Sequence, residues 1–484
     1  MTVTPHAVEA FDLDAAWALA PQVAIRPEPF GALAYHFGTR RLSFLKTPTL
    51  RSLVESLAAY PSGRAACLAV GIASEELPQY ARSLSVLAGT SMSVAVAPAR
   101  LVDHFEAGLD APICLTWELT YACNLACVHC LSSSGRRDPR ELSTEECKSI
   151  IDELQRMQVF YVNIGGGEPT VRRDFWEVLD YATAHDVGVK FSTNGSRITP
   201  AIAERLAAAD YVDVQISLDG ASAEVNDRVR GAGSYATAIR AMERMHASGF
   251  RGFKVSVVMT RENVSQLDAF KAIADRFEAQ LRITRLRPSG RGADVWAELH
   301  PTQQQQGELY QWLLAHGEGV LTGDSLFHLS AYGQSLPGLN LCGAGRVVCL
   351  IDPVGDVYAC PFAIHDAFLA GNVRAPGGFA KVWRESELFT QLRRPQSPGV
   401  CGSCTHYDSC RGGCMAAKFF TGLPLDGPDP ECVLGHGEHA LAVRHGSTLP
   451  RPQADHSRRR PPDRACDEDP VTVFLRVSAP SRAS

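Results

Sequence analysis

The sequence predicts an α/β protein built on a partial (β/α)6, TIM-like barrel. A winged helix-turn-helix-like α+β module precedes the barrel and a cysteine-rich domain follows it. Three observations predict this. Six short runs rich in Val, Ile and aromatics alternate with helical segments between residues 99 and 325. Three strand-like and three helical runs share residues 1–98. Eight cysteines fall between Cys342 and Cys432.

Composition bounds the function classes. A chain of 484 residues suits two to four domains. The expected divisions are 1–98, 99–325, 326–440 and a disordered tail at 441–484. Net charge is −6, which offers nucleic acid no overall attraction. The N-terminus has no basic and apolar signal pattern, and no run approaches about 18 apolar residues. A cytoplasmic protein without a membrane span is therefore expected. There, the clustered ones among 15 cysteines read as metal ligands rather than disulfides.

In the first module the strand-like runs are Val23–Arg26, Ala32–Phe37 and Arg41–Lys46, and Leu33, Tyr35 and Phe37 alternate onto one face. Leu50, Leu53, Val54 and Leu57 mark an amphipathic helix, a short helix covers 63–70, and a third begins at Ser74. Such a shape suggests DNA binding, but residues 1–98 carry seven basic and seven acidic side chains, no basic footprint. Capture of an extended peptide along a strand edge is the alternative, and a plain scaffold role is a third.

The barrel strands are expected at 114–120, 159–164, 187–193, 211–218, 254–260 and 281–287. The first helix opens at Ser143 with Glu146 three residues on, a capping box. Later helices are expected at 174–185, 199–208, 235–247 and 264–277. In barrels of this kind function gathers where strands end. Past the first strand come Cys123, Cys127 and Cys130. Three thiolates suit one face of a [4Fe–4S] cubane, which normally takes four, and so leave one iron open. A zinc knuckle or partial ferredoxin motif is the bland alternative. Gly165-Gly166-Gly167-Glu168 follows the second strand, where glycine admits close approach and Glu168 offers a carboxylate to an ammonium group. Ser192 ends the third strand and Ser217 the fourth.

The second cysteine field comprises Cys342, Cys349, Cys360, Cys401, Cys404, Cys410, Cys414 and Cys432, enough for two four-cysteine sites. Spacing alone leaves cubanes and structural zinc equally open. The Gly-rich surroundings suggest a loop-dominated domain with little core of its own. Cys67, Cys114 and Cys147 read as buried, unreactive thiols, and Cys466 is left over in the tail.

The Cys123/Cys127/Cys130 triad with Gly166-Gly-Glu-Pro169 resembles the radical S-adenosylmethionine (SAM) enzymes. The field from Cys342 to Cys432 resembles their SPASM extension. Ala111–Thr120, Phe160–Ile164 and Cys410–Phe419 look like the mycofactocin radical SAM maturases, and residues 9–98 like the separate mycofactocin precursor-binding (RiPP recognition) proteins. The chain thus resembles a fusion of the two.

The resemblance implies a radical SAM barrel, a SPASM domain and three [4Fe–4S] clusters. Cys123, Cys127 and Cys130 would hold the cluster that binds SAM. Gly166, Gly167 and Glu168 would meet the methionine amino group, Ser192 and Ser217 the ribose or methionine, and Arg230 the carboxylate. His129 stands where an aromatic residue usually touches adenine. Cys342, Cys349, Cys360 and Cys414 would bind one auxiliary cluster, and Cys401, Cys404, Cys410 and Cys432 the other. The implied partners are the mycofactocin precursor peptide and an external flavodoxin- or ferredoxin-like electron donor. The implied reaction decarboxylates the peptide's C-terminal Tyr oxidatively. It then joins that residue to the penultimate Val, using two SAM. Other readings are a different SPASM-type peptide or sulfatase maturase, or a non-catalytic iron–sulfur or zinc protein. No side chain is assigned as general acid or base.

Overall fold

The computed structural model describes residues 12–20, 22–38, 41–88, 108–322, 326–336, 341–394, 399–445 and 477–478. The expected linker at 95–104, Cys466 and almost all of the expected tail lie outside the described residues. The chain divides into two compact units at Asp110.

In the first unit, β1 (Ala18–Leu19) is followed by a three-stranded antiparallel sheet of β2 (Val23–Glu28), β3 (Gly31–His36) and β4 (Arg41–Leu45), with β3 central. Helices Pro48–Ser56, Gly63–Ala69 and Leu77–Ala88 follow. Thr47 and Ser62 cap the first two through their hydroxyls. Leu53, Val54, Leu57 and Cys67 pack with Ala32 and Ala34 of the sheet into one core. Arg26 is buried beside Glu28 at 2.6 Å, and Glu28 also accepts from the Asp110 amide at 2.9 Å. That carboxylate is what lets a charged residue sit in this strand.

The second unit is Ala111–Glu468. Strands β5 (Cys114–Thr120), β6 (Tyr161–Gly166), β7 (Gly188–Thr193), β8 (Val212–Ser217), β9 (Phe253–Met259) and β10 (Gln280–Arg285) pair side by side in sequence order, all parallel. These are the six expected barrel strands. Every residue of β5 and β8 is buried, the polar face (Thr116, Glu118 and Thr120; Asp213, Gln215 and Ser217) as well as the apolar one. Helix Thr144–Arg156 starts in the expected capping box: Ser143 accepts from the Glu146 amide, and Glu146 accepts in return from the Ser143 amide at 2.8 Å.

Three features depart from the sequence expectation. Helix Ala223–Arg230 was not foreseen. Its sequence, AEVNDRVR, has no apolar period, and polar contacts hold it instead: Ser222 caps it, and Asp227 accepts from the amides of Gly233 and Tyr235. The cysteine-rich segment is not mainly loop. Its β12 (Val348–Ile351) extends the barrel sheet in parallel beside β5, and the antiparallel β13 (Asp356–Tyr358) and β14 (Leu369–Asn372) follow. At the other edge, β11 (Val320–Leu321) pairs with β10. An open barrel leaves unpaired edges, and these strands satisfy them. The segment also has apolar interior, with Tyr358, Phe379, Trp383 and Phe389 fully buried. Finally, the tail expected from 441 begins inside helix His436–His445, and Val477–Ser478 forms β15 against β1.

Among the described residues, no helix is long and apolar enough to cross a membrane.

Candidate active site

The site is built on the loop after β5. Backbone bonds shape this loop. The Gly167 amide donates to Thr120 O at 2.8 Å, the Glu168 amide to Ala122 O at 2.9 Å and the Cys123 amide to Gly135 O at 3.1 Å. Arg291 clamps the far side, donating from Nε to Cys127 O at 2.8 Å and from Nη1 to Ser134 O at 3.0 Å. Tyr121, next to the first cysteines, donates to Asp352 in the β12–β13 turn at 2.8 Å. Cys127 and Cys130 are buried, and Cys123 is partly exposed.

Gly166 and Gly167 act on this loop through their bareness. A Cβ on Gly167 would fall 2.0 Å from Ala122 O, and one on Gly166, at φ +102°, 2.4 Å from Thr120 O. Any side chain would push the cysteine loop away. Glu168 is buried and organises the next strand ends. Its Oε1 accepts from the hydroxyls of Thr170 (2.6 Å) and Thr193 (2.8 Å), and its Oε2 accepts from the Asn194 amide at 2.7 Å. A carboxylate oxygen has two lone pairs, so Oε2 retains capacity for an ammonium group.

A cavity opens beside the loop. Cys127, Cys130, His129, Ser192, Ser217 and Arg230 all line it, so six residues singled out in the sequence meet on one wall. Gly166, Gly167 and Glu168 are not among its lining residues and stand behind the loop. Asp219 sits under the wall, fully buried. His129 Nε2 lies 2.9 Å and Arg230 Nε 2.6 Å from its Oδ2, and the Val258 amide donates to Oδ1 at 2.8 Å. Burial alone would raise this carboxyl, but Arg230 and His129 outweigh it and hold it well below the usual carboxylate range. Asp219 thus fixes two wall residues at once. The sequence marks it as the end of a strand-terminal run, Gln215–Asp219, that also holds Ser217, but assigns it no role. Arg291 was missed, since a lone arginine opening a helix, Arg291–Leu299, carries no spacing signal.

Cys342 and Cys414 are near neighbours, and burial together with Cys414 pushes the Cys342 thiol up. Burial, with Cys432 and Cys404 adding to it, also pushes the Cys401 thiol up. Cys410 is pushed up to about 11 by burial, with Cys432 and Cys401 adding to it. Cys349 lies in β12, and Cys360 follows β13. Among the described residues no three His, Cys, Asp or Glu side chains gather closely enough to hold a single metal ion; thiolates are nonetheless the donor type that iron–sulfur clusters take, and Asp429 organises the loop by accepting from the Cys414 amide at 2.7 Å. Cys67, Cys114 and Cys147 are completely buried, and burial pushes Cys147 up to about 12.

Comparisons with known proteins agree with this arrangement. The Radical SAM superfamily matches residues 117–273, the Peptide chaperone MftB family residues 16–94, and the SPASM iron-sulfur cluster-binding domain residues 342–405. The chain is 72% identical over 388 residues to mycofactocin maturase MftC of Mycobacterium tuberculosis (strain CDC 1551 / Oshkosh), spanning 77% of this chain and 98% of that protein. It is 30% identical over 354 residues to an AdoMet-dependent heme synthase of Methanosarcina barkeri, spanning 68% and 98%. In fold it is similar to Streptococcus suis SuiB bound to S-adenosylmethionine, with a TM-score of 0.63 and 18% identity over 86% of this chain and 99% of that one. Barrel, cysteine loop, second cysteine field and sequence identity converge, and the chain belongs to the mycofactocin maturase family of radical SAM enzymes, with an MftB chaperone-like segment ahead of the barrel.

Proposed function

We propose that this chain matures the mycofactocin precursor peptide. It would remove the carboxyl group of a C-terminal Tyr oxidatively and then bond that residue to the penultimate Val, consuming two SAM. The observation that carries this reading is the cysteine loop opening into a cavity whose wall holds Ser192, Ser217, Arg230 and His129. Identity to a mycofactocin maturase supports the choice of substrate.

Cys123, Cys127 and Cys130 would hold a [4Fe–4S] cluster with one open iron, and the cysteines of the second field would hold two more. Bound there, cluster and SAM supply a 5′-deoxyadenosyl radical, with the electron coming from an external flavodoxin- or ferredoxin-like donor. The protein's own contribution is placement and exclusion of water. Glu168 Oε2 offers its remaining lone pair to the methionine ammonium. Ser192 and Ser217 present hydroxyls, Arg230 a tethered positive charge and His129 an aromatic face. Cys342, Cys349, Cys360 and Cys414 would form one auxiliary set, and Cys401, Cys404, Cys410 and Cys432 the other.

The test is anaerobic incubation of the reconstituted chain with SAM, reductant and a peptide ending in Val-Tyr. The first product is expected to lack carbon dioxide and two hydrogens, and the second to have the same mass as the first. An unchanged peptide beside released 5′-deoxyadenosine would overturn the reading.

The first unit would capture the peptide by strand addition. Its edge strands are β2 and β4, and Pro27 deprives β2 of one amide donor, so β4 is the better edge to extend. Joining capture and catalysis in one chain raises the local peptide concentration to about mM for a short flexible connection. Separating the chain between 95 and 104 and mixing the pieces at about 1 μM is expected to lower turnover of dilute peptide about 10²-fold. Equal turnover of cut and intact chains would refute the tethering benefit.

A further inference from the structure

The cavity wall carries a charge that the roles above do not use. Four arginines line it, Arg230, Arg282, Arg285 and Arg287, and no carboxylate does. Arg230 is matched by Asp219, and Arg285 is matched by Asp429 and Glu431. Arg282 Nη1 reaches Ser256 Oγ at 3.5 Å. Arg287 differs. It is 1% exposed, yet its Nε and Nη1 have no hydrogen-bond partner among the described residues. Its guanidinium lies 4.1 Å from the centroid of the Phe362 ring, which occupies one face and leaves the donors at its edge. A buried cation with unmet donors is costly, and an anion that meets them is held strongly.

Position tells which anion. Ser217 ends β8, and Arg287 lies just past the end of β10. Two strand spacings separate them, about 10 Å. A methionine carboxylate held near Ser217 and Arg230 leaves Arg287 for a second anion. Phe362 lies two residues beyond Cys360 in the chain, and Cys127 and Cys130 line the same cavity as Arg287. We propose that Arg287, seated on Phe362, is the subsite for the C-terminal carboxylate of the peptide substrate. This rests on the reading that the C-terminal residue reacts. It makes Arg287 a specificity residue for peptides whose reacting residue is the last. It also separates the two steps, because the decarboxylated intermediate no longer has the group that Arg287 holds.

The test compares N-acetyl-Val-Tyr as free acid and as amide, both as competitors of the precursor peptide. On the natural chain the free acid is expected to compete about 10²-fold better. Arg287→Gln is expected to erase that preference. Arg287→Lys, which keeps the charge but loses the planar fork, should retain part of it. The Kd for SAM and the rate of cyclising pre-formed decarboxylated peptide should stay within about twofold of the parent, a control against misfolding. Equal competition by acid and amide on the natural chain overturns the proposal without any variant. So does a loss of SAM affinity in Arg287→Gln, which would assign the subsite to the methionine carboxylate. Should the natural chain leave the peptide's carboxyl in place, the reaction reading fails, while the acid-against-amide comparison still decides the subsite.

Discussion

A chain with Cys123→Ala, Cys127→Ala and Cys130→Ala is expected to release no 5′-deoxyadenosine above the blank, and to hold about four fewer irons, one cubane's worth. The loss should be one of ligation, not of folding. The loop's shape comes from the Gly167, Glu168 and Cys123 amides and from Arg291, none of which involves a thiol. Alanine is smaller than cysteine and introduces no clash, so truncating two buried thiols should cost only about 1 kcal/mol each. Metal-free triple variant and metal-free parent should therefore melt within a few degrees of each other. The cysteines from Cys342 to Cys432 are untouched, so about eight irons should remain. Deoxyadenosine still forming from the triple variant, after anaerobic reconstitution, would remove the basis of the proposed function.

Replacing Arg285 should cost the most stability of any single change here. Arg285 ends β10 and is 2% exposed. Its fork engages Asp429, with Nη1 donating to Oδ2 at 2.9 Å and Nη2 to Oδ1, while Nε donates to Glu431. Both carboxylates are almost completely buried. Burial alone would raise Asp429, but the two-pronged contact with Arg285 holds it well below the usual range. Asp429 in turn accepts from the amides of Cys414 and Glu431, at 2.7 and 2.9 Å. One arginine thus ties the last barrel strand to the loop carrying Cys414 and Cys432. Arg285→Met fills similar space but strands two buried carboxylates, at a cost of about 3–5 kcal/mol. Expected results are a Tm about 4–7 °C lower and a loss of about four irons. Arg285→Lys, a point charge that cannot engage both partners at once, should fall between. A Tm and iron content equal to the parent's would show that this network is not what joins strand and loop.

Much of the site was legible because its signals are local. The triad is three thiols within eight residues, and Ser192 and Ser217 could be placed by knowing only that strands end there. Gly166 and Gly167 were found, but as cofactor neighbours. The structure adds that both abut the backbone of Thr120 and Ala122, more than forty residues earlier in the chain. Asp219 was given no role because an aspartate after a strand is ordinary until His129 and Arg230 are seen to converge on it. The cysteine-rich segment was read as loops because β12 to β14 are three or four residues each, too short to show a period.

The amino-acid sequence by itself determined the repeat of strand and helix, the clustering of thiols, the capping of helices such as Thr144–Arg156 and the separateness of the first hundred residues. These depend on spacing along the chain, where side chains a few positions apart share a face or a turn. Only the tertiary structure decided which arginine answers which charge: Arg285 to Asp429 and Glu431, Arg230 to Asp219, Arg287 to the face of Phe362. In sequence these arginines look alike. What distinguishes them is the curvature of the sheet, which brings together groups up to 146 residues apart and buries them, where an unmatched charge is costly and each partner therefore matters.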